Sequence, residues 1–408
     1  MELTKGQYLI QSLAVNNIVQ NCGTPVYVYD EAVIVRQIES LRKGFSSVNL
    51  RIKYAAKALT NVSILRLMKK QGVGVDVVSI EEARLAIHAG YTPEEISFTP
   101  NGVVFDEIIE AIDLGVAINI DNLPTLQKFG DRFGNKKTCS LRINPGIMAG
   151  GNYKISTGHV QSKFGISIQH LPQILDCVKK HDIQVSGLHV HTGSEIGDLE
   201  VFFKVADVLF SAARNFPSLK FLDFGGGFKV AYKPGDSVTD IEALGAKLGK
   251  AFNQFCREYG QSLELWIEPG KFLVSEAGTL LVKTNLVKET PTLTFVHVNS
   301  GLNHLLRPMM YDAHHEIVNV SNPQGSQKKY TVVGYICETD TLGADRLLNE
   351  VREGDILAIK NAGAYGFTMA SNYNSRLRPA EILVTNGEAK LIRKKESFDD
   401  LLKNQVDL

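Results

Sequence analysis

A lysine closes an otherwise apolar, strand-like stretch, "YAAKAL" at 54–59. On such a strand Lys57 is either a solvated cap or a reagent, because a partly desolvated amine flanked by charge attacks carbonyl carbons. "FGGGF" at 224–228 offers bare backbone N–H groups in a tight turn, a chemistry suited to phosphate. Glu268, next to Pro269, supplies a carboxylate that suits a general base, a metal ligand or the partner of a ring nitrogen. "HVH" sets His189 and His191 on one face of a strand and raises the question of a metal. No further histidine or aspartate stands in an obvious place to complete such a site, so none is expected. An imidazole stacked on a planar ligand suits His191 better, and an ordinary core histidine suits His189.

These residues need elements to bring them together. Between Arg51 and Gly270, short runs rich in β-branched residues alternate with stretches of helical period: "RIKYAAKA", "GVDVVSI", "ISFTP", "VAINID", "TCSLRIN", "VSGLHVHTG", "FLDFGG" and "LWIEPG". "SIEEARLAIHAG" reads as a helix with Ser79 as its cap and Gly90 as its stop. About eight strand–helix repeats predict a parallel (β/α)₈ barrel, an α/β fold of the TIM type. The rival, a doubly wound open sheet, lacks a GxGxxG after its first strand. Outside this region the pattern changes. "TPVYVYD" precedes it, and "SEAGTLLVKTNLVKET", "TLTFVHVNS", "KKYTVVGYI", "GDILAIKNAG" and "PAEILVTNGEAKLIR" follow, with "NGE" and "PQGSQKK" as hairpin signals. The expected organisation is a barrel over 31–272 and a mostly β domain formed by 1–30 and 273–408. The tail "RKKESFDDLLKNQ" reads as a short amphipathic helix.

A (β/α)₈ barrel works at the carboxyl ends of its strands. Those ends carry Lys57, Asp76, "RINPG", "HVHTGSE", "DFGGGF" and "EPGK" in order, and phosphate sites commonly follow strands seven and eight. An amine, a phosphate turn and a carboxylate for a ring nitrogen, on one rim, are what pyridoxal 5′-phosphate requires. The small residues Ala55 and Ala56 are expected to leave space beside the lysine.

The chain resembles the fold-type III pyridoxal-phosphate decarboxylases, and within them the diaminopimelate-decarboxylating family, over nearly its full length. The resemblance rests on "YAAKA", "GVGVDVVSIEEARLA", "RINPG", "ISTGHVQSKFGI", "HVHTGSEI", "LDFGGGF", "EPGKFLVSEAG", "LLRPMMYDAHHEI", "VVGYICETD" and "GAYGFTMASNYNSRLRPAE". It implies that Lys57 holds the cofactor covalently through its aldehyde, that Asp76 supports both, and that His191 stacks on the pyridine. It implies that Ser194, Gly225, Gly226, Gly227 and Tyr365 bind the phosphate and that Glu268 pairs with the ring nitrogen. It further implies that Cys337, from the β-rich domain of a partner subunit, returns a proton to the substrate carbon in a homodimer with shared active sites. By itself a lone cysteine is more often a small buried residue, and the "CE" pair after a strand sets this one apart.

The reaction implied is decarboxylation of meso-2,6-diaminopimelate to L-lysine and CO₂, the last step of lysine biosynthesis. The far end of that substrate carries a carboxylate and an ammonium, so its site needs both charges. Arg307, Tyr311 and Glu338 match the family's contacts there, and Lys271 and Tyr365 are assigned to the substrate as well. Ornithine or lysine leaves Arg307 without a carboxylate, a penalty of several kcal/mol for a buried charge. Alternatives are a decarboxylase of ornithine, lysine, arginine or carboxynorspermidine, and a non-catalytic regulatory relative. The chain departs from the family at Lys271, where arginine is usual, in "CETDT" for "CESGD", and in "AKALTN" for "AKAN".

Composition narrows the partners. Lys plus Arg and Asp plus Glu both total 44 in 408 residues, so no global field draws the chain to nucleic acid or an acidic membrane. No apolar run approaches a membrane span, and the N-terminus has no signal-peptide pattern. Five scattered cysteines without a CxxC predict a reducing, cytoplasmic setting.

Overall fold

The computed structural model describes residues 1–150 and 157–406. Of the motif "ISTGHVQSKFGI", Ile155 and Ser156 lie outside the described residues. The chain divides into two compact units: Met1–Arg36, Ala231–Asp236 and Leu273–Leu408 form one, and Gln37–Val230 with Ser237–Phe272 form the other.

Among the described residues of the second unit, eight parallel strands close on themselves. They are Leu50–Ala55, Gly74–Val77, Ile96–Phe98, Ala117–Ile120, Thr138–Asn144, Gln184–His189, Phe221–Asp223 and Glu264–Ile267, and the last pairs with the first. Nearly every residue from the middle of each strand onward is buried, as helix-covered parallel strands require. Helices alternate with the strands, and their ends are fixed locally. Ser79 Oγ accepts from Glu82 N and Gly90 adopts a left-handed stop (φ 104°) on the helix Ile80–Ala89. Asn61 caps Val62–Lys70 by accepting from Ser63 N. Backbone bonds carry the strand register beyond the strand ends: Ala55 N donates to Pro269 O, Val190 N to Asp223 O and Glu268 N to Gly225 O. This rim is therefore fixed in place, not a set of free loops.

Among the described residues, the other unit is built on a nine-stranded sheet. Val26–Asp30 is entirely buried because it pairs antiparallel with Gly278–Glu289 and parallel with Ala380–Thr385. Val26, Val28, Leu281, Ile356, Ile382 and Val384 share one core cluster. Asn386 and Gly387 (φ 50° and 75°) turn the hairpin between Ala380–Thr385 and Glu388–Arg393, as "NGE" predicts. "PQGSQKK" does not make a hairpin. It joins Ile317–Asn319 to Gln327–Val333, and those strands pair with other partners. The hairpin comes later, where Gln327–Val333 pairs with Thr341–Asn349 and the connecting turn carries Cys337. The tail helix spans Phe398–Leu402, with Ser397 and Asp400 capping each other.

Candidate functional site

Lys57 sits in a single 3-10 turn, Ala56–Ala58, directly after the first barrel strand. Tyr54 Oη donates to Leu59 O at 3.1 Å and braces that turn. Ala55 and Ala56 are themselves buried, and they do not simply leave space. A Cβ on Gly270 would lie 3.2 Å from the Ala55 Cβ and 3.3 Å from the Ala58 Cβ, so alanines are needed where the eighth strand's end passes close by.

Asp76, Asp223 and Glu268 bring three buried carboxyl groups into this mouth, and the Arg142 guanidinium is buried with them. Glu268 Oε2 lies 3.0 Å from His189 Nε2. Gly225 N donates to Asp223 Oδ1 at 2.8 Å. Burial works against an ionised Glu268, but His189, His191 and Lys57 outweigh it and hold this carboxyl well below the usual range. Asp223 goes the other way: burial and the Glu268 charge raise it far above a normal aspartate. Asp76 is likewise raised by burial and by Glu268, against the pull of Lys57. Burial, then Lys57 and Arg142, push His191 well below the ordinary imidazole range. It is neutral, and its Nδ1 accepts from Gly226 N at 3.2 Å.

The glycine turn is built for close approach. A Cβ on Gly225 would lie 2.5 Å from Val190 O and 2.8 Å from His191 Nδ1, one on Gly226 would strike Glu268 O, and one on Gly227 would lie 2.6 Å from Gly193 O. Ile196 N donates to Gly227 O at 2.9 Å, tying the loop after the sixth strand, which holds Ser194, to the turn. Lys271 Nζ donates to Glu195 Oε1 at 2.8 Å. The lysine expected to meet substrate is thus engaged by a carboxylate on the neighbouring loop.

His189, Asp223 and Glu268 offer ligand atoms within 4.8 Å of one another, a trio that pattern reasoning on "HVH" did not complete. Its mutual hydrogen bonds read as a proton network. Asp223 was legible only as a carboxylate ending an apolar strand before the glycines, and Arg142 only as part of "RINPG". Asp76 Oδ1 and His189 Nδ1 are buried with no partner among the described residues. Orphaned acceptors, a glycine cradle and a lysine on the rim fit an aldehyde- and phosphate-bearing ring, with Lys57, His191, Gly225–Gly227 and Glu268 as the residues to hold it.

The remaining candidates belong to the β-rich unit. Arg307 is buried, its guanidinium 4.7 Å from the Tyr232 ring and its Nη1 3.4 Å from His315 Nε2. Tyr311 ends the short helix that Arg307 begins. Tyr365 adopts a left-handed backbone (φ 56°). Cys337 is exposed, with Asn374 Nδ2 donating to its Sγ at 3.5 Å. The Tyr373 hydroxyl donates to Glu338 Oε1.

A lysine and a close-packed glycine turn on one barrel rim are the features a pyridoxal-phosphate enzyme class needs. Residues 31–275 match the pyridoxal-binding domain of the pyridoxal-dependent decarboxylases, and the chain belongs to that family. Among its relatives is the diaminopimelate decarboxylase of Methanothermobacter thermautotrophicus, 37% identical over 98% of this chain and 96% of that protein. The solved diaminopimelate decarboxylase of M. jannaschii superposes with a TM-score of 0.91 at 30% identity, covering 100% of this chain and 98% of the other. The Helicobacter pylori diaminopimelate decarboxylase complexed with L-lysine gives 0.85 at 32% identity, covering 95% and 98%.

Proposed function

We propose that the protein decarboxylates meso-2,6-diaminopimelate to L-lysine and CO₂. The observation that carries this reading is Lys57 on a barrel rim with Glu268, His191 and the glycine cradle, in a chain that matches diaminopimelate decarboxylases from end to end. When bound, pyridoxal phosphate supplies an aldehyde for the substrate's amino group and a protonated ring that accepts the electron pair released with CO₂.

The chain's own residues do the rest. Lys57 Nζ would hold the cofactor through its aldehyde. Glu268, kept ionised by His189 and Lys57, holds a proton on the ring nitrogen. Neutral His191, its Nδ1 occupied by Gly226 N–H, would pack against the ring without adding positive charge. Gly225, Gly226 and Gly227, with Ser194 and Tyr365, bind phosphate, and Asp76 Oδ1 finds its partner in the loaded site. Cys337 of the partner subunit would return a proton to the carbon that lost CO₂, its thiolate then taking one from water. Arg307, Tyr311 and Glu338 recognise the far carboxylate and ammonium. Lysine bound to the H. pylori relative is the product this reaction would leave. A homodimer, with the β-rich unit of one subunit completing the barrel site of the other, is part of this proposal. No helix of the described residues is long and apolar enough to cross a membrane.

Loading the protein with pyridoxal phosphate and feeding it meso-diaminopimelate should release CO₂ and lysine in equal amounts. Borohydride reduction should leave a pyridoxyl group on the peptide containing Lys57. Labelling elsewhere, or no CO₂, would overturn the reading.

A further inference from the structure

The turn Gly334–Asp340 joins the strands Gln327–Val333 and Thr341–Asn349 and presents Cys337 and Glu338. Its form depends on one buried side chain. Asp340 is 1% exposed; its Oδ2 accepts from Ile336 N at 2.8 Å and its Oδ1 from Leu302 N at 2.6 Å. Its own N donates to Glu338 O at 2.7 Å, and its carbonyl accepts from Gly334 N at 2.8 Å. Four hydrogen bonds therefore close the turn at its base and anchor it to the segment at Gly301–Leu302. A Cβ on either Gly301 or Gly334 would run into Asp340 Oδ2, so both glycines exist to let the carboxylate in.

The backbone shows why such an anchor is needed. Thr339 and Asp340 have φ of 64° and 42°, two consecutive non-glycine residues in the left-handed region. Such residues persist there only when their surroundings over-determine the conformation. The family's usual "CESGD" carries a glycine before its aspartate. "CETDT" has none, and its aspartate stands three residues after the cysteine instead of four. No glycine stands between Cys337 and Asp340 to take up the bend.

We propose that Asp340 is the positioning residue of this turn: its buried carboxylate holds a loop with no glycine between Cys337 and Asp340 in the one conformation that aims Cys337 and Glu338 outward. The proposal rests on the reading of Cys337 as the proton donor. Asp340 touches neither substrate nor cofactor; it acts through Ile336, Glu338 and Leu302.

The test uses the cofactor-loaded full chain, with Cys337→Ser run beside Asp340→Asn. Asparagine keeps one carbonyl acceptor and turns an N–H₂ toward the second backbone donor. Displacing a reacting group by about 1 Å costs up to about 10²-fold, so kcat for Asp340→Asn should fall about 10- to 100-fold. The rate at which iodoacetamide alkylates Cys337 should rise severalfold with the melting temperature little changed, a shift a purely structural role would not give. An unchanged kcat and alkylation rate in Asp340→Asn, with Cys337→Ser impaired, overturns the positioning role alone. An unimpaired Cys337→Ser overturns the donor reading beneath it. Should Asp340→Asn fail to fold, hydrogen exchange on the unaltered protein decides. The Leu302 and Ile336 amides should be protected like strand amides, and exchange as fast as at the exposed tip contradicts the anchor.

Discussion

At the barrel rim, polar atoms are buried and left waiting. Asp76 Oδ1 and His189 Nδ1 have no partner among the described residues, and the buried Asp223 and Glu268 carboxyls are pushed in opposite directions. At the Cys337 turn the opposite holds, since both carboxylate oxygens of Asp340 and both of its backbone groups are bonded. An unsatisfied buried polar atom costs on the order of 1–3 kcal/mol. A rim that tolerates several is made to be completed by a bound ligand. A fully bonded turn around an exposed thiol is made to hold its shape before anything arrives. The first region stores unmet hydrogen-bonding capacity, and the second stores geometry.

Removing the rim's nucleophile should have the largest effect. Lys57→Ala should lower CO₂ release by on the order of 10³-fold or more, with no pyridoxyl peptide after borohydride reduction; retained turnover would end the comparison. Glu268→Gln takes away the charge that His189 and Lys57 keep ionised. It should lower kcat on the order of 10²-fold while cofactor still binds, as measured by single-turnover CO₂ release.

Acid should separate the two units. Burial holds His304 down to about 4 and His315 down to about 3, both in the β-rich unit. Below about pH 6.5 the unfolded chain takes up protons that these folded histidines refuse. Their contribution to stability is therefore present above pH 6.5 and is lost as pH falls toward 3, at about 1–2 kcal/mol each by pH 5. Asp76 and Asp223, raised by burial and by Glu268, have the opposite sign, and their contribution improves as pH falls toward 3.8. His189 and His191 in the barrel, lowered by burial, carry the same sign as His304 and His315, but the raised Asp76 and Asp223 offset them there, so residue-resolved hydrogen exchange at pH 7 and pH 5 should show the β-rich sheet losing protection first. Earlier loss in the barrel would reverse the comparison.

The smallest effect is expected at Lys271. Glu195→Gln frees its ammonium from a partly exposed ion pair, and such pairs contribute about 0.2–1 kcal/mol. KM for diaminopimelate should fall about 2- to 5-fold with kcat unchanged. A rise in KM would make Glu195 itself a substrate contact.

The strand ends were legible because each barrel strand is a buried apolar run and the next polar residue marks the rim. Lys57, Asp76, His191 and Glu268 all announce themselves this way. The capped helix at Ser79 and the turn at Asn386–Gly387 were legible for similarly local reasons. What escaped depends on distance along the chain. Glu195 meets Lys271 from 76 residues away. "PQGSQKK" has good turn chemistry, but the strands on either side find other partners, which no turn residue specifies. Thr341–Asn349 escaped because Ala344 and Asp345 stand exposed in its middle and break the alternation. Asp340 looked like part of an altered loop; its role appears only when the N–H groups of Leu302 and Ile336 converge on it.

The central claim is that a rim holding pyridoxal phosphate serves a substrate with an amino-acid group at each end. The direct measurement is kcat/KM for CO₂ release by the cofactor-loaded protein on meso-diaminopimelate, ornithine, lysine and arginine. The account predicts diaminopimelate preferred by on the order of 10²-fold or more, since it alone of the four carries an amino-acid group at each end. Equal or greater turnover of any of the other three would contradict it.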